Sequence, residues 1–296
     1  MNSNSILDSF IKLEGLSEEY RSRALRYFIP LANLILSWKG NETLYVGMNG
    51  AQGSGKSTLA RFIQVYLREC YSLSVVILSL DDLYLTRKER LVLARDVHPL
   101  FKTRGVPGTH DIKMGIDFIN CCKSGNWNEA VCPAFNKSID DREEKPNWHC
   151  LVEKPDIILF EGWCMGVAPQ PDEDLVSPLN DLEAKEDSLG IWRRHVNEHL
   201  KGHYKTFFEM FSHWVVLQPK SFDFVVKNRI KQEVKLRSKL STSNLKNAKI
   251  MSDSEIIHFV SHFERLTKWM WNIFKEQADV LIELGENHIV ESMVVK

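Results

Sequence analysis

This sequence predicts a doubly wound α/β fold built on a parallel sheet of about five strands, and three observations carry the prediction. Short apolar runs recur at 44–49, 74–80, 156–160, 213–217 and 279–284. Helical patterns or long loops separate them, as expected of parallel strands joined by crossover helices. The first run leads into Gly50-Ala51-Gln52-Gly53-Ser54-Gly55-Lys56-Ser57, which fits G-x-x-x-x-G-K-[ST] and marks a phosphate-wrapping loop between a strand and a helix.

The elements follow in order. Residues 5–38 read as two helices, and 1–40 as a helical extension ahead of a 41–296 domain. The strand at 44–49 is apolar, although Gly47 is a poor strand former. After the loop, Leu59, Phe62, Ile63, Tyr66 and Leu67 recur at helical spacing. Residues 166–188, rich in Pro, Asp and Glu, read as a surface insertion, and the polar, Lys-rich 238–250 as a mobile stretch. Ser252 with Glu255 forms a capping box for a helix whose apolar face runs Ile256, Ile257, Val260, Phe263, Leu266, Met270, Ile273 and Phe274.

Composition narrows the partners. The chain has 296 residues, with 38 Lys+Arg against 39 Asp+Glu, so no broad field attracts nucleic acid or an anionic membrane. The most apolar stretch, 28–38, is about half a membrane span and contains Pro30 and Asn33. The six cysteines show no C-x-x-C or metal-ligand spacing. A reduced, cytoplasmic protein without a secretory signal is the expectation.

The loop fixes the cofactor class. Gly50, Gly53 and Gly55 let the backbone approach phosphate oxygens, and the amides around Gln52, Ser54 and Thr58 can form an anion nest at a helix N-terminus. Lys56 offers a cation to the β- and γ-phosphates, and the Ser57 hydroxyl can ligate Mg²⁺. The ligand is therefore ATP or GTP.

Carboxylates at the ends of strands supply the chemistry, because open α/β sheets bind ligands there. The second run ends at Asp81-Asp82-Leu83-Tyr84 and the third at Glu161. A kinase needs one acid to orient or deprotonate a hydroxyl and another to hold Mg²⁺; Asp81 is read as the first and Glu161 as the second. Asp82 and Tyr84 are read on the acceptor side, a helix cap being the alternative for Asp82. The loop 102–111 carries Arg104, His110 and Asp111, types suited to carboxylates, phosphates and hydroxyls. Segment 132–142 adds Lys137 and Arg142. The basic helix at 229–237 is either a solvated face or a lid, spanning about 227–252, whose arginines reach the γ-phosphate.

These clusters, in this order, resemble the plant-type D-glycerate 3-kinases, relatives of uridine kinase, phosphoribulokinase and bacterial pantothenate kinase. The match carries GAQGSGKST at 50–58, SLDDLYLT at 79–86, RGVPGTHD at 104–111, PAFNKSIDDR at 133–142 and ILFEGWCMG at 158–166. It continues through PLNDLE, RIKQE and MSDSEIIHFV, covering roughly 44–285. The resemblance implies a P-loop kinase fold with a helical lid and Mg-ATP as donor. It implies Asp81 as the catalytic carboxylate beside Lys56 and Glu161 as the Mg²⁺-linked acid. Arg104, His110, Asp111, Lys137 and Arg142 fall in acceptor-pocket segments. Arg229 and Arg237 would be lid residues, Arg229 catalytic and Arg237 on the nucleotide.

Two departures bear on the acceptor. Phe135 stands where uridine kinases have Tyr, and Asn136 where they have Asp; both suit a small acidic metabolite, with D-glycerate favoured. A sister kinase for a uridine- or pantothenate-like metabolite is the alternative. A GTPase fits poorly, since Glu161-Gly162 replaces D-x-x-G and Asn136-Lys137-Ser138-Ile139 does not complete N-K-x-D. A non-catalytic ATP-binding regulator stays open.

Overall fold

The first predicted strand, Leu44–Gly50 (β1), is buried along its whole length, the pattern of a parallel strand covered on both faces. In the computed structural model, which describes residues 3–239 and 251–296 (backbone alone for Gln232 and 235–239), β1 sits inside a six-stranded sheet. The other strands are Val75–Ser79 (β2), Ile157–Gly162 (β3), His213–Pro219 (β4), Val280–Leu284 (β5) and Val290–Val295 (β6). Their spatial order is β2-β3-β1-β4-β5-β6.

The five strands expected from the sequence run parallel. The sixth, β6, returns antiparallel to β5 with an irregularity between Val290 and Ser292. The chain passes from β1 to the edge strand β2, back to β3, and then across β1 to β4. Winding therefore reverses beside β1, which opens a crevice at the carboxyl ends of β1 and β3.

Gly47, an odd residue for a strand, has a packing reason. A Cβ there would lie 2.2 Å from the indole of Trp214 on β4, so any larger residue would displace that ring.

Helices cover both faces. The helix Lys56–Tyr71 buries Leu59, Phe62, Ile63, Tyr66 and Leu67, the stripe read from the sequence. The N-terminal helices pack on it: Leu7, Phe10, Tyr20 and Phe28 share one cluster with Phe62 and Val46, and the Phe10 and Phe62 rings meet edge-on at 5.4 Å. On the opposite face, the helix Asp253–Gln277 begins with the expected capping box, Glu255 N donating to Ser252 Oγ at 3.3 Å. Its predicted face is buried at Ile256, Val260, Phe263, Leu266, Met270 and Phe274, but Ile257 is exposed.

The 166–188 segment is more than a surface insertion. Glu183 is fully buried and takes two hydrogen bonds from Arg265, at 2.7 and 2.6 Å. Asp187, equally buried, pairs with Arg193 at 2.9 Å. Acidic composition suggested solvent; the arginines that pair with those acids lie on other helices, Arg193 on the next one and Arg265 82 residues on from Glu183. The six cysteines are free thiols, and no helix among the described residues is long and apolar enough to cross a membrane.

Candidate active site

Gly53 and Gly55 adopt φ of 73° and 88°, left-handed values that a Cβ disfavours. Gly50 is constrained otherwise: an added Cβ would sit 2.5 Å from Ser54 Oγ. The backbone then enters the helix at Lys56 with Gly55 as its N-cap, so the amides of Lys56, Ser57 and Thr58 open the helix without intrahelical partners. Gln52 Oε1 and Ser54 Oγ are buried and make no hydrogen bond among the described residues. The Ser54 hydroxyl can thus donate to a bound phosphate, whereas Gln52 Oε1, which only accepts, would need a donor such as water.

Three strand ends bring Glu161 to this loop. It lies opposite Ser79 on β2 and Met48 on β1 and is buried. Its Oε1 accepts from Ser57 Oγ at 2.8 Å and from Ser79 Oγ at 3.4 Å. Its Oε2 is 3.7 Å from Lys56 Nζ and has no hydrogen-bond donor among the described residues.

Asp81 follows β2 in the short turn Leu80–Leu83. Ser79 caps that turn, accepting from Asp81 N at 3.3 Å, so neither aspartate serves as the cap. Tyr84 Oη donates to Asp81 Oδ1 at 2.8 Å and Lys137 Nζ to Oδ2 at 2.6 Å. Burial pushes the Asp81 carboxyl up, but the charges of Lys137 and Lys56 and these two hydrogen bonds outweigh it and hold the pKa at about 2. Asp82 points elsewhere, its Oδ1 accepting from Phe135 N at 3.2 Å. It ties the 133–142 segment to the turn, and burial raises its pKa.

The residues that the sequence assigns to the acceptor side make contacts of their own nearby. The Tyr84 ring stacks on His110 at 4.6 Å and meets Phe135 edge-on at 5.1 Å. Tyr204 Oη accepts from Gly108 N at 3.1 Å and lies 2.6 Å from His110 Nδ1. Which of the two carries the shared proton depends on the His110 tautomer, and His110 Nε2 has no partner among the described residues. Burial lowers the His110 pKa to about 3 against the pull of Asp81, so the ring is neutral at ordinary pH. Arg142 donates to Tyr84 O at 3.0 Å and stands 3.7 Å from Asp111. Arg104 pairs with Asp140 and lies 5.4 Å over the Phe135 ring.

Arg229 pairs with Glu233 at 3.0 Å and lies 5.9 Å over Phe259, its charge matched within its own helix region. The Arg237 side chain and residues 240–250 of the expected lid fall outside the described residues.

Other contributors had little or no signal in the sequence. Ser79 closes β2 and touches Glu161. Asn49, buried at the end of β1, donates to Trp163 O and Met165 O at 3.1 and 2.7 Å, fixing the strand end that carries Glu161. Arg90 sits in a charged helix yet is buried, donating to Lys102 O and Asp140 O at 2.9 and 2.8 Å. A polar residue closing an apolar run was the only clue to Ser79 and Asn49; Arg90 offered none.

Comparison with known proteins places the arrangement. No protein-family model matches the chain. The uncharacterized kinase mug58 of Schizosaccharomyces pombe is 33% identical over 232 residues, covering 74% of this chain and 77% of the relative. The chain belongs to the glycerate kinase-like family of P-loop kinases. The chloroplastic D-glycerate 3-kinase of Arabidopsis thaliana is 28% identical over 229 residues, 74% of this chain and 46% of that protein. Among solved structures, D-glycerate 3-kinase from Cryptococcus neoformans superposes with a TM-score of 0.72 at 21% identity, over 91% of this chain and 99% of its own. That likeness shows the shared fold. The protein is an ATP-dependent phosphotransferase acting on a small molecule, with Asp81, Lys56 and Glu161 gathered at the crevice that its topology opens.

Proposed function

We propose that this kinase transfers a phosphoryl group from Mg-ATP to a hydroxyl of a small acid, with D-glycerate the favoured acceptor. The observation that carries the reading is Asp81, an ionised carboxylate bound by Lys137 and within electrostatic reach of Lys56. In this reading Gly50–Ser57 and Thr58 cradle the phosphates through backbone amides, and Lys56 offsets their charge. Ser57 Oγ and Glu161 would hold Mg²⁺; the buried, unmatched Glu161 Oε2 fits a hard cation's demand for oxygen, taken directly or through water. The metal supplies charge neutralisation between phosphates.

Asp81 orients the acceptor hydroxyl. A pKa of about 2 makes it a weak base, so it takes the proton late, once the hydroxyl oxygen bonds to phosphorus and becomes acidic. Lys137, 61% exposed at its side chain, can leave Asp81 for the acceptor's carboxylate, with Arg142 and Arg104 adding positive charge beside it. The unpartnered Nε2 of His110 supplies a neutral hydrogen-bonding group. Asn136 and Phe135 bring no negative charge to this pocket, which favours an acid over a nucleoside. Arg229 and Arg237 act as lid arginines, Arg229 exchanging Glu233 for phosphate oxygens on closure.

An ADP-release assay over D-glycerate, uridine, pantothenate and ribulose 5-phosphate tests the acceptor. The reading expects stimulation by D-glycerate above the other three. Stimulation by pantothenate instead would favour the sister-kinase alternative, to which the Streptococcus mutans pantothenate kinase, 25% identical over 191 residues, lends support.

A further inference from the structure

The turn between β5 and β6 touches the nucleotide loop from outside, and two of its residues hold unusual backbone conformations. Asn287 and His288 are consecutive non-glycine residues at φ of 54° and 61°. Strain of this kind persists only where the surroundings over-determine it. Here they do: Arg23 Nη1 donates to His288 O at 2.7 Å and to Asn287 O at 3.5 Å, and Lys231 Nζ donates to Asn287 Oδ1 at 3.0 Å. Held this way, His288 directs Nε2 at the carbonyl of Gly53. A carbonyl only accepts, so Nε2 carries the ring proton and donates it.

We propose that His288 is a positioning residue for the nucleotide, and that Arg23 of the N-terminal helices sets it in place. The peptide between Gly53 and Ser54 is fixed on both sides. Its N–H donates to Ala51 O at 3.1 Å, and its C=O accepts from His288. Gly53, free to turn in isolation, is thereby kept in one orientation before any phosphate arrives. Ordering that would otherwise oppose ATP binding is done in advance. The 1–40 helices gain a function from the same chain of contacts: they brace the phosphate loop through the C-terminal turn.

The inference rests on the nucleotide site and not on the acceptor, so calorimetric binding of ADP in the presence of Mg²⁺ tests it separately. His288→Ala should weaken ADP binding about 5–10-fold, the scale of one lost hydrogen bond. His288→Gln, whose amide can donate to the same carbonyl, should recover most of that loss. Arg23→Ala should weaken binding by a smaller factor, and adding it to His288→Ala should cost nothing further, because both act through one contact. Wild-type ADP affinity in His288→Ala would overturn the proposal. So would a loss that His288→Gln leaves unrepaired while the thermal midpoint of His288→Gln matches wild type. A double variant weaker by the product of the two single effects would overturn the role given to Arg23.

Discussion

The hydroxyl of Ser57 donates a 2.8 Å hydrogen bond to Glu161 Oε1 and so joins the first turn of the nucleotide-loop helix to the end of β3. Ser57 lies 104 residues before its partner, yet both are candidate holders of one metal. Glu161→Gln keeps the shape and weakens the carboxylate's hold on a cation. The apparent Mg²⁺ requirement should rise about 10–100-fold, the usual effect of altering a group that supports a metal. Activity titrated against free Mg²⁺ checks this, and an unchanged requirement would remove Glu161 from the metal site.

Asp81→Asn separates binding from chemistry. The amide can still accept from Tyr84 but no longer takes a proton. Turnover should fall by roughly 10²-fold or more, with calorimetric ATP affinity retained. Lys56→Ala should instead damage nucleotide binding itself.

The crevice and its carboxylates were legible because each lies beside a strong pattern. A glycine-rich loop after an apolar strand has few other meanings, and an acid straight after Val, Ile and Leu sits near the core. Pairings across the fold were not legible. Arg90 belongs to a strongly charged segment, and the carbonyls of Lys102 and Asp140 that receive its buried guanidinium are 12 and 50 residues away. Glu183 and Asp187 looked like surface acids because their arginines are supplied by other helices. His288 is 235 residues from Gly53, and no local pattern marks such a contact. The edge strand β6 was missed because its residues are half exposed and its ladder irregular, which blurs the alternation that marks a strand.

Acid should destabilise the fold in two stages. Burial first, aided by neighbouring histidines, lowers His199 to about 4, and burial takes His110 to about 3. Both lie below the ordinary 6.5, so the unfolded chain binds more protons as pH falls from 6.5, and stability drops toward pH 4. Asp81 acts lower: its stabilisation is present above its ordinary 3.8 and lost as pH falls through about 2. Thermal midpoints measured between pH 7 and 4 should fall steadily in the wild type and less steeply in His199→Asn. Equal slopes would contradict the assignment.

Removing the Glu183 carboxylate should leave Arg265 buried and unpaired. Glu183→Ala is expected to cost about 3–5 kcal/mol, read as a lower midpoint in urea denaturation. A loss below about 1 kcal/mol would mean that the 166–188 segment docks by other contacts.

Transfer of label from [γ-³²P]ATP tests the central claim most directly. The wild-type kinase incubated with D-glycerate should yield labelled phosphoglycerate, and Asp81→Asn should yield roughly 10²-fold less in the same time. Label found only in inorganic phosphate, at the same rate with or without D-glycerate, would contradict the account.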